Sequence, residues 1–197
     1  QLGTPISSLM AWLEVLKGRY PADELLPEME RDVQRLQTVA ERFSKIGSKT
    51  GMVMEDVCEV VGKAVEYMKR RSPAKVRYSL SFPAYQVQVP MNVSLMEWVV
   101  ENLCKNAIDA MGGDGEIVVA VCSEGNRVLV DISDTGKGIA KSHWKDVFEP
   151  GFTTKPRGWG LGLSLAKRII GDFHKGRIYI RKSVLGKGTT FRIELKK

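Results

Sequence analysis

The chain has 197 residues, 43% hydrophobic and 27% charged, the balance of a globular protein rather than of a collagen-like or disordered one. No apolar run reaches the roughly 18–20 residues needed to cross a bilayer. Lys and Arg outnumber Asp and Glu by 30 to 23, a formal net charge of +7, which suits an anionic ligand such as a nucleotide, nucleic acid or anionic lipid.

The basic clusters (Lys69, Arg70, Arg71; Arg181, Lys182; Lys196, Lys197) are short and lack interleaved aromatics, which argues against nucleic acid. Cys58, Cys104 and Cys122 lie far apart without metal-ligand spacing, so neither a disulfide framework nor a zinc site is expected, and a reducing cytoplasm is the natural home. The first residues already carry a helical pattern, so no signal peptide is expected. The chain starts without Met, and the expectation is a piece of a longer protein in which a membrane segment could precede it.

Apolar residues recur at Leu2, Ile6, Leu9, Leu13 and Leu16, a coiled-coil-like seam. Pro5 kinks that helix or marks its first turn, and Gly18 is expected to end it. A connection from Arg19 to Leu26 leads to Pro27 at the first helical position, and Met29, Val33, Leu36, Ala40, Phe43 and Ile46 repeat the stripe until Gly47. Two antiparallel helices leave their seams half covered, so the spacing predicts a helical hairpin that dimerises into a four-helix bundle.

From Met54 the pattern changes to α+β. The expected elements are a helix over Glu55–Lys69, strands around Val76–Phe82 and Val87–Val89, and a long helix over Ser94–Met111. Strands Ile117–Cys122 and Val128–Ser133 follow, joined through Glu124-Gly125-Asn126. A glycine-rich irregular region spans Asp134 to Gly162, and a helix over Leu163–Phe173 and strands Arg177–Lys182 and Thr190–Leu195 close the chain. The inventory makes an α/β sandwich, a mixed sheet covered on one face by about three helices. The domain reading is 1–49 for the hairpin and 50–197 for the sandwich.

Four segments carry chemistry. Asn102, Asn106 and Asp109 lie four and three apart on the long helix and share one face. Their oxygens beside phosphates are hard donors suited to Mg²⁺. Asp134-Thr135-Gly136-Lys137-Gly138 follows a strand directly, where a carboxylate can accept a hydrogen bond from an exocyclic amine and glycines let the backbone approach a flat ligand. Phe148-Glu149-Pro150-Gly151-Phe152-Thr153-Thr154-Lys155 comes next. Gly158-Trp159-Gly160-Leu161-Gly162-Leu163 then leads into a helix and frees backbone N–H groups for phosphate. Lys155 and Arg157 lie between the glycine clusters, placed to meet β- and γ-phosphates. No Gly-Lys-Ser/Thr follows, so this is not a Walker P-loop.

In that order and spacing, the four segments resemble the N, G1, F and G2 boxes of sensor histidine kinases. That family shares an ATPase superfamily with gyrase, heat-shock chaperones and mismatch-repair proteins. Gly186-Lys187-Gly188-Thr189-Thr190-Phe191 looks like its last glycine box. Leu2-Gly3-Thr4-Pro5 looks like the segment after the phosphoacceptor histidine, which would then stand immediately upstream of Gln1. The resemblance implies a two-component, ATP-dependent protein-histidine kinase. It would be a homodimer in the cytoplasm, alone or as the cytoplasmic part of an inner-membrane sensor, using ATP and Mg²⁺ and passing phosphate to a response-regulator receiver.

By residue, the resemblance implies that Asp134 binds adenine with Gly136, Gly138 and Ile139 around the base. Asn106 is the Mg²⁺ ligand, with Asn102 and Asp109 beside the phosphates. Thr153, Thr154, Lys155, Gly158, Gly160, Leu161, Gly162, Leu163 and Thr190 complete the pocket, under a lid from Ile139 to Gly160. Asn102 and Lys155 serve phosphoryl transfer, and Thr4 orients a water for receiver dephosphorylation. Asn102, where superfamily members that hydrolyse ATP tend to carry Glu, points to transfer onto a protein. Gln1 stands where the family has an acidic residue and cannot act as a base. This leaves open an ATP-binding docking or phosphatase module with little kinase activity.

Overall fold

The computed structural model describes residues 3–20, 25–30, 32–33, 51–155 and 160–197. Its contacts separate two units, Gln1–Thr50 and Gly51–Lys197.

In the first unit, helix α1 spans Gly3–Arg19, with Pro5 in its opening turn, where a missing N–H costs nothing. Gly18 does not end it: the helix runs on to Arg19, and the Tyr20 N–H donates to the Leu16 carbonyl at 2.8 Å. Residues 26–30 and 32–33 are helical again. Ile6, Leu13, Leu26 and Val33 form one buried cluster with Leu16 packed against it, and Lys17 Nζ lies 2.6 Å from Glu30. Leu9 and Met29 of the expected seams stay exposed, as do Trp12 and Val15 on α1, so among the described residues the seams are only partly covered. Leu2, Leu36, Ala40, Phe43, Ile46 and Gly47 lie outside the described residues.

The second unit is the expected sandwich. Strand β1 (Val53–Asp56) pairs antiparallel with β3 (Gln88–Met91). Five more strands form a sheet: β2 (Val76–Ser81), β4 (Gly115–Glu124), β5 (Arg127–Asp134), β6 (Arg177–Val184) and β7 (Gly188–Lys196). Their order is β2-β4-β5-β7-β6, and only the β2–β4 pair is parallel. Helix α2 (Val57–Lys69) starts two residues later than the sequence suggested. Glu55 and Asp56 belong to β1, and Asp56 caps the helix, accepting from the Cys58 N–H at 3.1 Å and the Val87 N–H at 3.0 Å.

Helix α3 (Val93–Ala110) is capped by Asn92, which accepts from the Leu95 N–H at 3.1 Å. Its buried stripe of Leu95, Met96, Val99, Val100, Leu103, Cys104 and Ala107 follows three- and four-residue steps and meets inward residues of the sheet, Ile117, Val119, Val130, Ile132 and Ile193. Helix α4 (Gly162–Arg168) passes into a wider π turn over Ile169–Phe173. There the buried His174 accepts the Asn92 N–H on Nε2 at 3.1 Å and donates from Nδ1 to the Ile169 carbonyl at 3.0 Å, tying the turn to the start of α3. Among the described residues no helix is long and apolar enough to cross a membrane.

Candidate functional site

Alternation along β5 turns Val128, Val130 and Ile132 inward, and the same parity turns Asp134 inward at the end of the strand, where it is 8% exposed. Its Oδ1 accepts from the Gly136 N–H at 2.8 Å and the Thr189 N–H at 3.3 Å. Burial raises the carboxyl pKa above its ordinary value, and the two N–H groups work against that rise. Oδ2 has no hydrogen bond among the described residues. One carboxylate oxygen is thus held by the fold while the other remains an acceptor.

The loop after Asp134 lies on the C-terminal end of α3. A side chain at Gly136 would come within 2.7 Å of the Ala110 backbone, so only glycine allows this approach, and the Lys137 N–H donates to the Ala110 carbonyl at 3.0 Å. Gly138 lies against the backbone of Val184. The Ile139 N–H donates to Ser183 Oγ at 2.7 Å, and Trp144 Nε1 returns to the Ile139 carbonyl at 3.1 Å. Phe148 is buried edge-on to Phe191 with ring centres 6.1 Å apart. The first half of the segment read as a lid, Ile139 to Phe148, is therefore fastened to the sheet.

Beyond it, the Gly151 N–H donates to the Gly160 carbonyl at 3.1 Å, which joins the segment 148–155 to the glycine cluster before α4. A side chain at Gly162 would stand 2.5 Å from Asn102 Oδ1, so the start of α4 leans directly on the asparagine face of α3. Asn102 Nδ2 is buried without a partner among the described residues. Such an orphan costs about 1–3 kcal/mol unless a ligand group accepts from it. Thr153 Oγ1 accepts from the Lys155 N–H at 3.1 Å, and Thr154 Oγ1 accepts from Lys137 Nζ at 3.4 Å. Leu161 is half-exposed and its carbonyl holds the Leu165 N–H, and Leu163 is half-buried in the first turn of α4.

Two expected placements change. The Lys155 ammonium is not free for phosphates but lies 2.6 Å from Asp109 Oδ2 and 3.1 Å from Asn106 Oδ1. Thr190 points to the far face of the sheet, where its hydroxyl meets Ser133 at 2.9 Å. Its neighbour Thr189 is the residue beside Asp134, through its N–H, and its Oγ1 bonds Ser183 at 2.9 Å. Strand alternation back from the inward Phe191 and Ile193 already distinguishes the two threonines. Ser183 carried no such signal, because the β6–β7 register shifts between Ile180 and Lys182. Thr4 lies in the backbone of α1 with its side chain outside the described residues, as are Arg157 and Gly158.

Residues 91–197, which carry α3, β4 to β7 and all the motifs from Asn102 to Thr190, match the family described as Histidine kinase-, DNA gyrase B-, and HSP90-like ATPase. The chain belongs to this family. Among its curated relatives, the sensor histidine kinase ZraS of Klebsiella oxytoca is 30% identical over 205 residues, covering 99% of this chain and 44% of ZraS. The chain thus spans less than half the length of that relative. The catalytic domain of histidine kinase ThkA superposes with a TM-score of 0.64 at 26% identity, over 74% of this chain and 95% of that one. ThkA in complex with the response regulator protein TrrA matches 98% of this chain and 59% of that one, with a TM-score of 0.71 at 20% identity, an agreement in fold.

For a histidine kinase-like ATPase the donors present suit a magnesium nucleotide. Asn106 and Asp109 offer adjacent neutral and anionic oxygens that already hold a cationic group, and hard oxygen donors are what Mg²⁺ prefers. The orphan N–H of Asn102 suits an anionic oxygen.

Proposed function

We propose that this chain is the ATP-binding and dimerisation core of a sensor histidine kinase. It phosphorylates a histidine just upstream of Gln1 and passes the phosphoryl group to an aspartate of a response-regulator receiver. The observation that carries this reading is that three other segments meet α3 on its face of Asn102, Asn106 and Asp109 and at its C-terminal end: the loop of Asp134, with one open oxygen, through Gly136 on Ala110, Gly162 on Asn102, and Lys155 on Asn106 and Asp109.

Asp134 Oδ2 accepts the exocyclic amine of adenine, with Gly136, Gly138 and Ile139 walling the base. Asn102 donates its unpaired N–H toward the phosphates, and the backbone of Gly160 to Leu163 and the hydroxyls of Thr153 and Thr154 line their path. Asn106, with Asp109 beside it, holds the magnesium ion, which supplies charge neutralisation on the phosphates. Positioning then does most of the catalytic work, because phosphoryl transfer asks little covalent chemistry of the protein.

Residues 1–49 are the dimerisation and phosphotransfer hairpin in this reading, and residues 50–197 the catalytic domain. Leu9, Trp12 and Val15 on α1 are 45%, 66% and 54% exposed, an apolar face that a second copy would cover as a four-helix bundle. The receiver docks against the hairpin near Thr4, and the pocket works on the cytoplasmic side of any membrane sensor. The ThkA complex with the response regulator protein TrrA supports a response regulator as the class of partner.

Calorimetry with ATP and Mg²⁺ tests the pocket, and labelled ATP with a chain extended upstream tests the transfer. The expected label on the protein is acid-labile and base-stable. Nucleotide uptake without label would favour the docking or phosphatase module suggested by Gln1. Steady phosphate release without labelled protein would indicate a hydrolysing ATPase.

A further inference from the structure

The Lys155 ammonium lies 46 residues from Asp109 in the chain, yet sits 2.6 Å from its Oδ2 and 3.1 Å from Asn106 Oδ1. These are the two α3 oxygens best suited to a divalent ion. An ammonium and a divalent ion seated on these oxygens would stand against one another as like charges, so they compete for the place. Among the described residues no group of three His, Cys, Asp or Glu could hold a metal. This seat supplies only two side chains, and nucleotide phosphates and water must complete the shell.

We propose that Asp109 and Asn106 form one cation seat for which Lys155 and the nucleotide's divalent ion compete, so that metal entry expels Lys155 and frees its charge for the phosphates. The proposal rests on the nucleotide reading above. Lys155 neutralises Asp109 until the metal replaces it, so the carboxylate never faces the incoming polyphosphate uncompensated. The competitor is weak enough to yield: Lys155 and Asp109 are 41% and 39% exposed, a setting in which an ion pair shifts an equilibrium by only a few-fold.

The test is a titration of Mn²⁺, read by electron paramagnetic resonance, into the full chain saturated with ADP. Lys155→Met should hold Mn²⁺ about two- to fivefold more tightly than the unsubstituted chain. It should also bind ADP more weakly in EDTA, where Asp109 is left bare. Lys155→Arg should restore the original behaviour, and Lys155→Met added to Asp109→Asn should gain clearly less, since only the Asn106 contact is then left to relieve. Unchanged or weaker Mn²⁺ binding by Lys155→Met, or the same gain in the Asp109→Asn background, overturns the exchange and leaves the nucleotide reading standing. Failure of the unsubstituted chain to bind ADP overturns both.

Discussion

Asp134 divides its two oxygens between fold and ligand, and that division makes it separable by substitution. Asp134→Asn keeps an acceptor for the Gly136 and Thr189 N–H groups but presents an amide where the open oxygen stood. ATP affinity should fall about ten- to a hundredfold, about 1.5–3 kcal/mol, with little change in melting temperature, as calorimetry and thermal unfolding can show. His174 makes a different prediction. Burial lowers its pKa from 6.5, because protonation would place a charge in the core and remove the acceptor for the Asn92 N–H. Below pH 6.5 the unfolded chain takes up a proton that the folded chain refuses, so stability falls as pH drops from 6.5 toward the lowered value and levels off beneath it. Urea unfolding at pH 7.5 and 5.5 should show this loss, and His174→Gln should diminish it. Asp134 was legible because a lone carboxylate ends an apolar strand before two glycines. His174 was not, since its partners, Asn92 and Ile169, share no local pattern with it.

The three strands β5, β7 and β6 are bound on their outer face by one carboxylate. Asp131, 8% exposed, receives Arg192 through Nε at 2.6 Å and Nη2 at 2.7 Å, and Arg181 through Nη1 at 2.7 Å. The bidentate pair pushes the Arg192 pKa above its ordinary value. Asp131→Asn should destabilise the fold by about 1–3 kcal/mol. That is less than a fully buried pair costs, because Arg181 is more than half exposed and can turn to water. Chemical denaturation would measure it, and a change below about 0.5 kcal/mol would show that the cluster contributes nothing. Six of the seven strands were readable to within a few residues from their alternation, but β1 was missed, because Val53–Asp56 is short and its last two residues read as the start of the next helix. Two boundaries were not readable: Asp56 caps α2 and so delays it, and the π turn widens the helix after Arg168. Both depend on a neighbour distant in the chain, Val87 for Asp56 and Asn92 for the π turn through His174.

At the scale of the whole chain, Gly51–Lys197 has its own core and carries every residue of the proposed nucleotide site. Expressed alone, it should unfold cooperatively, bind nucleotide as the full chain does and sediment as a monomer, whereas the full chain should sediment as a dimer through its first 50 residues. A monomeric full chain would remove the four-helix bundle from the proposal and leave the pocket intact. Sequence alone determined the kinds and order of the elements from the helix after Asp56 onward, and the four glycine and carboxamide segments, because periodicity and turn chemistry act over a few residues. Only the tertiary structure decided which cation rests on Asp109, which threonine supports Asp134 and which glycine touches Asn102. Those pairings depend on how strands and loops dozens of residues apart are brought together by packing, and no local pattern records a distance across the fold.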